Sequence, residues 1–286
     1  MDEFWKEFEP IYHQRFLACE GKRPNRKTSL SMAEIMTILA FFHVKGFRCF
    51  KHYYIEYVSE HMRDLFPDLV SYSRFVELTP RALFPLMYYQ LLVQKAEQTG
   101  IAYIDSTTLA VCRNQRIHNH KVFKNLADRG KSSMGWFYGF KLHLIVNDQG
   151  GILAWCLTPG NVSDKDVKTV TSLAKGLQGK LFADKGYISR NLFEPLFEQG
   201  LQLITKIQKN MKNKLMPMVD QLLLRKRAII ETIIDQLKNI SQIQHTRHRS
   251  PLNFMVNITA GLVAYGFYPN KPSVRFGRNE FLPLEL

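Results

Sequence analysis

Residues 136–146 read WFYGFKLHLIV, residues 147–151 NDQGG and residues 152–157 ILAWCL. The flanks are aromatic and β-branched, and the middle is made of turn formers, so the stretch predicts a β-hairpin. Just upstream, AYIDSTTL at residues 102–109 has strand character and carries an acid, Asp105, inside an apolar run. Downstream the period changes. Ser163 is placed to cap a helix running to about Lys175, and Lys180–Ala183 is a short buried strand ending at Asp184. Ser189 opens a further helix, residues 201–206 form a strand, and a long helix is expected from Val219 to about Ile240. Ser250-Pro251 opens the last helix, with Ser as N-cap and Pro in the first turn.

The order is strand, hairpin, helix, strand, helix, strand, long helix. It predicts an α/β fold with a mixed five-stranded sheet flanked by helices, the element order of ribonuclease H. Before residue 97 the chain is helical and aromatic instead. SMAEIMTILAFFHV at 31–44 sets Ile35, Ile38, Leu39 and Phe42 at helical spacing behind Ser31 as N-cap, and residues 50–62 and 80–93 read as further helices. GKRPNRK at 21–27 is a basic linker. Three regions are therefore expected: an all-helical, DNA-binding domain over 1–97, a catalytic domain over 98–272 and a tail over 273–286. Short helices with basic connections suit either a helix-turn-helix-like module or a cap that only packs on the second domain.

The 286 residues hold 39 Lys and Arg against 25 Asp and Glu, a formal charge of +14. An apolar fraction of 45% excludes a largely disordered chain. The charge calls for a polyanionic partner, nucleic acid ahead of membrane. The four cysteines, Cys19, Cys49, Cys112 and Cys156, form no Cys-x-x-Cys, which argues against a zinc ribbon or a disulfide framework. The acidic start of the chain is no signal peptide, and no apolar run reaches the roughly 18 residues of a membrane span. A cytoplasmic protein without a membrane partner is expected.

Asp105 and Asp184 would converge at one sheet edge if their strands are neighbours, and catalytic groups of α/β sheets gather where strands end. A carboxylate in Tyr-Ile-Asp is costly to bury unless it is capped, paired with a cation or bound to metal. On the long helix, Arg227, Glu231 and Lys238 fall within roughly 40° of one another at about 100° per residue, beside an apolar stripe of Ile230, Ile233, Leu237 and Ile240. Asp235 is the rival acid on that helix, turned further from the stripe. By itself this pattern also suits i,i+4 ion pairing on a solvated face. Residues 112–135 read as a basic loop carrying Arg113, Arg116, Lys121 and Lys124, and residues 206–249 hold ten Lys or Arg against three acids. Such runs contact phosphates when they border a metal site, and otherwise form solvated surface. His118-Asn119-His120 spells HNH within three residues, too compact for the nuclease motif of that name.

Taken together, YIDSTTL around Asp105, GFKLH at 139–143, TPGNVSD at 158–164, ADKGY at 183–187, R-x3-E-x6-K at Arg227, Glu231 and Lys238, and TRHRSPLNFMVNITAGLVAYGF at 246–267 resemble the DDE transposases of bacterial insertion sequences. The likeness is greatest to the insertion-sequence family numbered 982, within the group that carries a Tyr-Arg-Glu-Lys signature. The resemblance implies that Asp105, Asp184 and Glu231 are catalytic and hold two Mg²⁺ ions, with Mn²⁺ able to stand in, for cleavage of transposon-end DNA and 3′-OH strand transfer. It implies double-stranded DNA as partner, both terminal inverted repeats and target, and a dimer in the synaptic complex. Arg227, Lys238, Lys141, Lys185, Arg113, Arg116, Lys121 and Lys124 are expected at the DNA. One position departs: Leu224 stands where the signature has Tyr, which removes a hydroxyl expected at DNA. A degenerate or domesticated copy that only binds DNA is the alternative.

Overall fold

The computed structural model describes residues 1–15, 29–206, 216–244 and 248–276. The basic linker at 21–27 lies outside them. The described residues form two compact units, one drawn from Met1–Lys95, Gln115–Asn125 and Asp235–Pro269, the other from Ala96–Asn114, Leu126–Ile234 and the residues from Asn270 on.

The first unit is helical. Ser31 closes a capping box at the start of the helix Met32–Val44: its Oγ accepts from the Glu34 amide, and its own amide donates to Glu34 Oε2 at 2.7 Å. Ile35, Ile38 and Phe42 from this helix meet Tyr53, Tyr54, Phe75 and Leu86 in one buried core. Val256, Ala260 and Val263 of the last helix, Pro251–Gly266, belong to the same core. This corrects the expected boundaries, which placed that helix and residues 115–125 in the second region. The helix buries residues all the way round, so its sequence says that it is interior but not in which unit.

The second unit holds a mixed sheet of six strands rather than five. They are β1 (Ile101–Cys112), β2 (Asp128–Ser132), β3 (Gly135–Asn147), β4 (Ile152–Pro159), β5 (Gly179–Ala183) and β6 (Leu201–Thr205). The long β3 pairs antiparallel with β1, and also with β2 near its start and β4 near its end. On its other side β1 pairs parallel with β5, and β5 with β6. The extra strand, β2, lies in the segment expected to be a basic loop; DRGKS has no apolar alternation to betray it. Gly139 of β3 is required by close approach, since a Cβ there would collide with the Leu109 carbonyl oxygen of β1.

One sheet face buries Ala102, Ile104, Ile145, Leu181 and Ala183 against the helices Val167–Leu173 and Arg190–Glu198. The first of these is capped by Asp166, whose Oδ2 accepts from the Thr169 amide, and not by Ser163. On the other face Tyr103 stacks on Phe182 at 5.4 Å and donates its hydroxyl to the Leu223 carbonyl. The long helix expected from Val219 to Ile240 is broken there. It runs as Met218–Arg225, turns at Lys226 and Arg227, resumes as Ala228–Asp235 and ends in a π-helical turn, Gln236–Ile240.

Candidate active site

Strand register puts the two sheet-borne acids together. The parallel pairs Ile101–Lys180, Ala102–Leu181 and Tyr103–Phe182 share an offset of 79 residues, which carries Asp105 to the level of Asp184. Side chains alternate along a strand, so Asp105 shares a face with Tyr103, and the extended Asp184 shares one with Phe182. Because Tyr103 stacks on Phe182, that face is common to both acids, and it is the face met by the broken helix.

The break sets Arg227 just before the first turn of Ala228–Asp235. Its guanidinium donates from Nη1 to Asp105 Oδ2 at 3.2 Å and from Nη2 to Glu231 Oε1 at 2.5 Å. Asp105 and Glu231 are thus joined through one cation. Asp105 also caps its own neighbour, accepting from the Ser106 amide at 2.8 Å. Burial raises the Asp105 carboxyl above its ordinary range, opposed by the Ser106 amide and by Arg227. Of the readings the sequence left open for Asp105, the structure shows the ion pair: the guanidinium supplies the positive charge that Asp105 and Glu231 share, and a carboxylate is a hard oxygen donor of the kind a divalent cation takes. Among the described residues no three His, Cys, Asp or Glu side chains converge as a ready metal cage.

A second polar cluster lies behind Asp105, on residues of the strings that carry the resemblance, of which only Lys141 has a role expected from sequence. Ser106 Oγ donates to Asp164 Oδ1 at 2.6 Å, and Lys141 Nζ donates to the same oxygen at 3.0 Å and to the Val162 carbonyl at 2.8 Å. His143 is buried with Nε2 against Thr158 Oγ1 at 2.9 Å, and burial lowers its pKa to about 4. The buried Tyr187 hydroxyl is held protonated by burial and by the charges of Asp105 and Asp164. These contacts explain the GFKLH and TPGNVSD strings: Lys141 ties the loop after β4 to the sheet.

The expected DNA contacts separate accordingly. Lys141 is buried and engaged with Asp164, so it is corrected from a phosphate contact to a structural cation. Arg113 follows β1 and Lys185 follows Asp184; both are exposed. Arg116, Lys121 and Lys124 are exposed but belong to the first unit, as does Lys238, whose ammonium is lowered by burial. Leu224 is buried, so the side chain at the signature position points into packing, not toward solvent.

A family model described as transposase DDE domain matches residues 95–251, more than half of the chain. The chain belongs to the transposase DDE family. No curated protein matches it. Family membership makes this a transposase domain, of a family that binds DNA and uses divalent metals. Among the described residues, no helix of this transposase is long and apolar enough to cross a membrane.

Proposed function

We propose that the transposase is encoded by an insertion sequence of the family numbered 982 and has a ribonuclease H-like catalytic unit. In this reading it cleaves transposon-end DNA and transfers the freed 3′-OH to target DNA, in the cytoplasm and on the nucleoid. The observation that carries the reading is the shared level and face of Asp105 and Asp184, met by the helix bearing Glu231. The strand directions, with β3 alone running antiparallel to β1 while β4, β5 and β6 run parallel to it, support the ribonuclease H-like assignment.

Asp105, Asp184 and Glu231 would hold two Mg²⁺ ions, or Mn²⁺, which when bound stabilise the attacking and leaving oxygens of an in-line displacement at phosphorus. Arg227 neutralises Asp105 and Glu231 before DNA arrives and then turns to a backbone phosphate. The Ser106 amide fixes the Asp105 carboxylate, and Ser106 and Lys141 together hold Asp164 and its loop. Arg113 and Lys185, exposed on the same unit, contact phosphates of the terminal repeat or the target. The helical unit, with Arg116, Lys121, Lys124 and Lys238, binds the ends, and two protomers join two ends in a synaptic dimer. The alternative of a DNA-binding copy without chemistry rests on Leu224 alone, and a buried Leu there is a packing substitution rather than a lost surface contact.

The test is cleavage of labelled DNA taken from the inverted repeats that flank the gene, in Mg²⁺ or Mn²⁺. Asp105→Ala, Asp184→Ala and Glu231→Gln should each reduce nicking and strand transfer at least a thousandfold with end binding kept. Substantial cleavage by any of the three would assign the site wrongly.

A further inference from the structure

The hairpin of β2 and β3 extends well beyond the catalytic carboxylates. Pairing of β1 with β5 stops at Tyr103–Phe182, yet β1 continues to Cys112 and β3 begins only at Gly135. Past Tyr138 the pairing of β3 with β2 continues without β1, and the exposed tip of this hairpin is apolar and basic. Met134 at the turn is 97% exposed and Trp136 is 62% exposed. Lys131 pairs with Trp136 across the hairpin and holds its ammonium 5.9 Å from the ring centroid; Arg129 pairs with Tyr138. The Asn114 side chain donates to the Trp136 carbonyl at 2.7 Å, which anchors the strand carrying the ring while leaving the ring itself bare.

The face matters as much as the exposure. Asp105 pairs with Leu144, so the two share a face, and alternation along β3 puts Leu142, Phe140, Tyr138 and Trp136 on that face as well; the first three are buried, and the face opens to solvent at Trp136. Lys131 and Arg129, paired with Trp136 and Tyr138, join it. The step from Leu144 to Trp136 is eight residues, about 27 Å at roughly 3.4 Å per residue. Duplex DNA rises about 3.4 Å per base pair, so that distance is about eight base pairs.

We propose that this hairpin is a DNA-binding arm: Arg129 and Lys131 meet backbone phosphates, and Trp136 with Met134 presses against the bases of a duplex about eight base pairs from the phosphate at Asp105. The proposal rests on the function argued above. Two cations beside a bare indole complement a phosphate backbone and base faces, the pairing that serves stacking and wedge insertion in other DNA-binding proteins.

The experiment uses the full chain and 30-base-pair duplexes of the flanking repeat with a single 2-aminopurine moved base by base away from the cleavage site. Wild type should change the emission of the probe most about eight base pairs away, and Trp136→Ala should remove that change and weaken binding about tenfold. Arg129→Gln with Lys131→Gln should lower the salt slope of binding by about two, one per lost phosphate contact. Trp136 is exposed, so an unchanged thermal melt of Trp136→Ala is expected and checks its fold. Wild-type affinity, salt slope and probe profile in these variants would overturn the arm. So would loss of a protein dimer, measured by sedimentation, with DNA binding intact, since the face would then serve a second copy of the chain. If wild type itself fails to bind or cut the repeat, the fault lies in the function and not in the arm.

Discussion

Arg227→Ala isolates the ion pair at the centre of the site. The Arg227 and Asp105 side chains are 16% and 24% exposed and lie 3.2 Å apart, whereas Glu231 is 55% exposed. Removing one partner of a buried pair costs about 3–5 kcal/mol, because the other charge is left desolvated. Partial exposure at this site brings the expectation to about 2 kcal/mol, nearly all of it on the Asp105 side, since an exposed pair such as that with Glu231 adds at most a few tenths. For a unit of this size that is a fall in melting temperature of about 6 °C. The assay is calorimetric or fluorescence melting of the full chain in EDTA. Asp105→Asn in the Arg227→Ala background should restore most of the loss, and added Mg²⁺ should restore part of it by giving the carboxylates another cation. A melt within a degree of wild type in EDTA, or the same loss in both backgrounds, would refute the idea that Arg227 compensates the buried Asp105 charge.

Three further outcomes follow from particular residues. Glu231→Gln should eliminate cleavage and Asp235→Asn should reduce it no more than threefold, because Asp235 accepts from Asn239 while Glu231 faces Arg227; the reverse ranking on one end substrate would make Asp235 the ligand. Leu224→Tyr, which installs the tyrosine of the expected Tyr-Arg-Glu-Lys pattern, should destabilise the protein by about 1–3 kcal/mol in urea titration without raising activity, because it overfills a buried position. His43 is buried against the Ser241 carbonyl, and burial lowers its pKa from 6.5 to about 4. The unfolded chain takes up this proton first as pH falls. His43 therefore costs no stability above about pH 6.5 and up to about 3 kcal/mol by pH 4, a dependence that urea titrations at pH 7 and pH 5 should show and that His43→Gln should reduce but not remove, because burial lowers His143 in the same way.

Much of the second unit was legible because its signals are local. The NDQGG turn between two strand-like runs encoded the β3–β4 hairpin, and an acid inside YID or at the end of KLFA stands out from its neighbours whatever surrounds it. Ser31 and Ser250 cap helices through contacts within four residues, so their sequence context suffices. The spacing of Arg227 and Glu231 also survived into the structure, as an ion pair.

Other features depend on partners far away in the chain. DRGKS became a strand only because Gly135–Gly139 of β3 offers it hydrogen bonds. The break at Lys226 and Arg227 carries neither Gly nor Pro, yet it places Arg227 to reach Asp105, 122 residues earlier. Lys141 looked free for phosphate until Asp164 and Val162 engaged its ammonium. The last helix packs with Val256, Ala260 and Val263 in the core of the first unit, so a fragment ending near residue 95 would leave that core incomplete. Sequence pattern determined which residues are turns, caps, strands and candidate ligands, since those depend on neighbours a few residues apart. Tertiary structure alone decided which charge meets which and which core an apolar helix fills, because Coulomb attraction and burial act through space and are indifferent to separation along the chain.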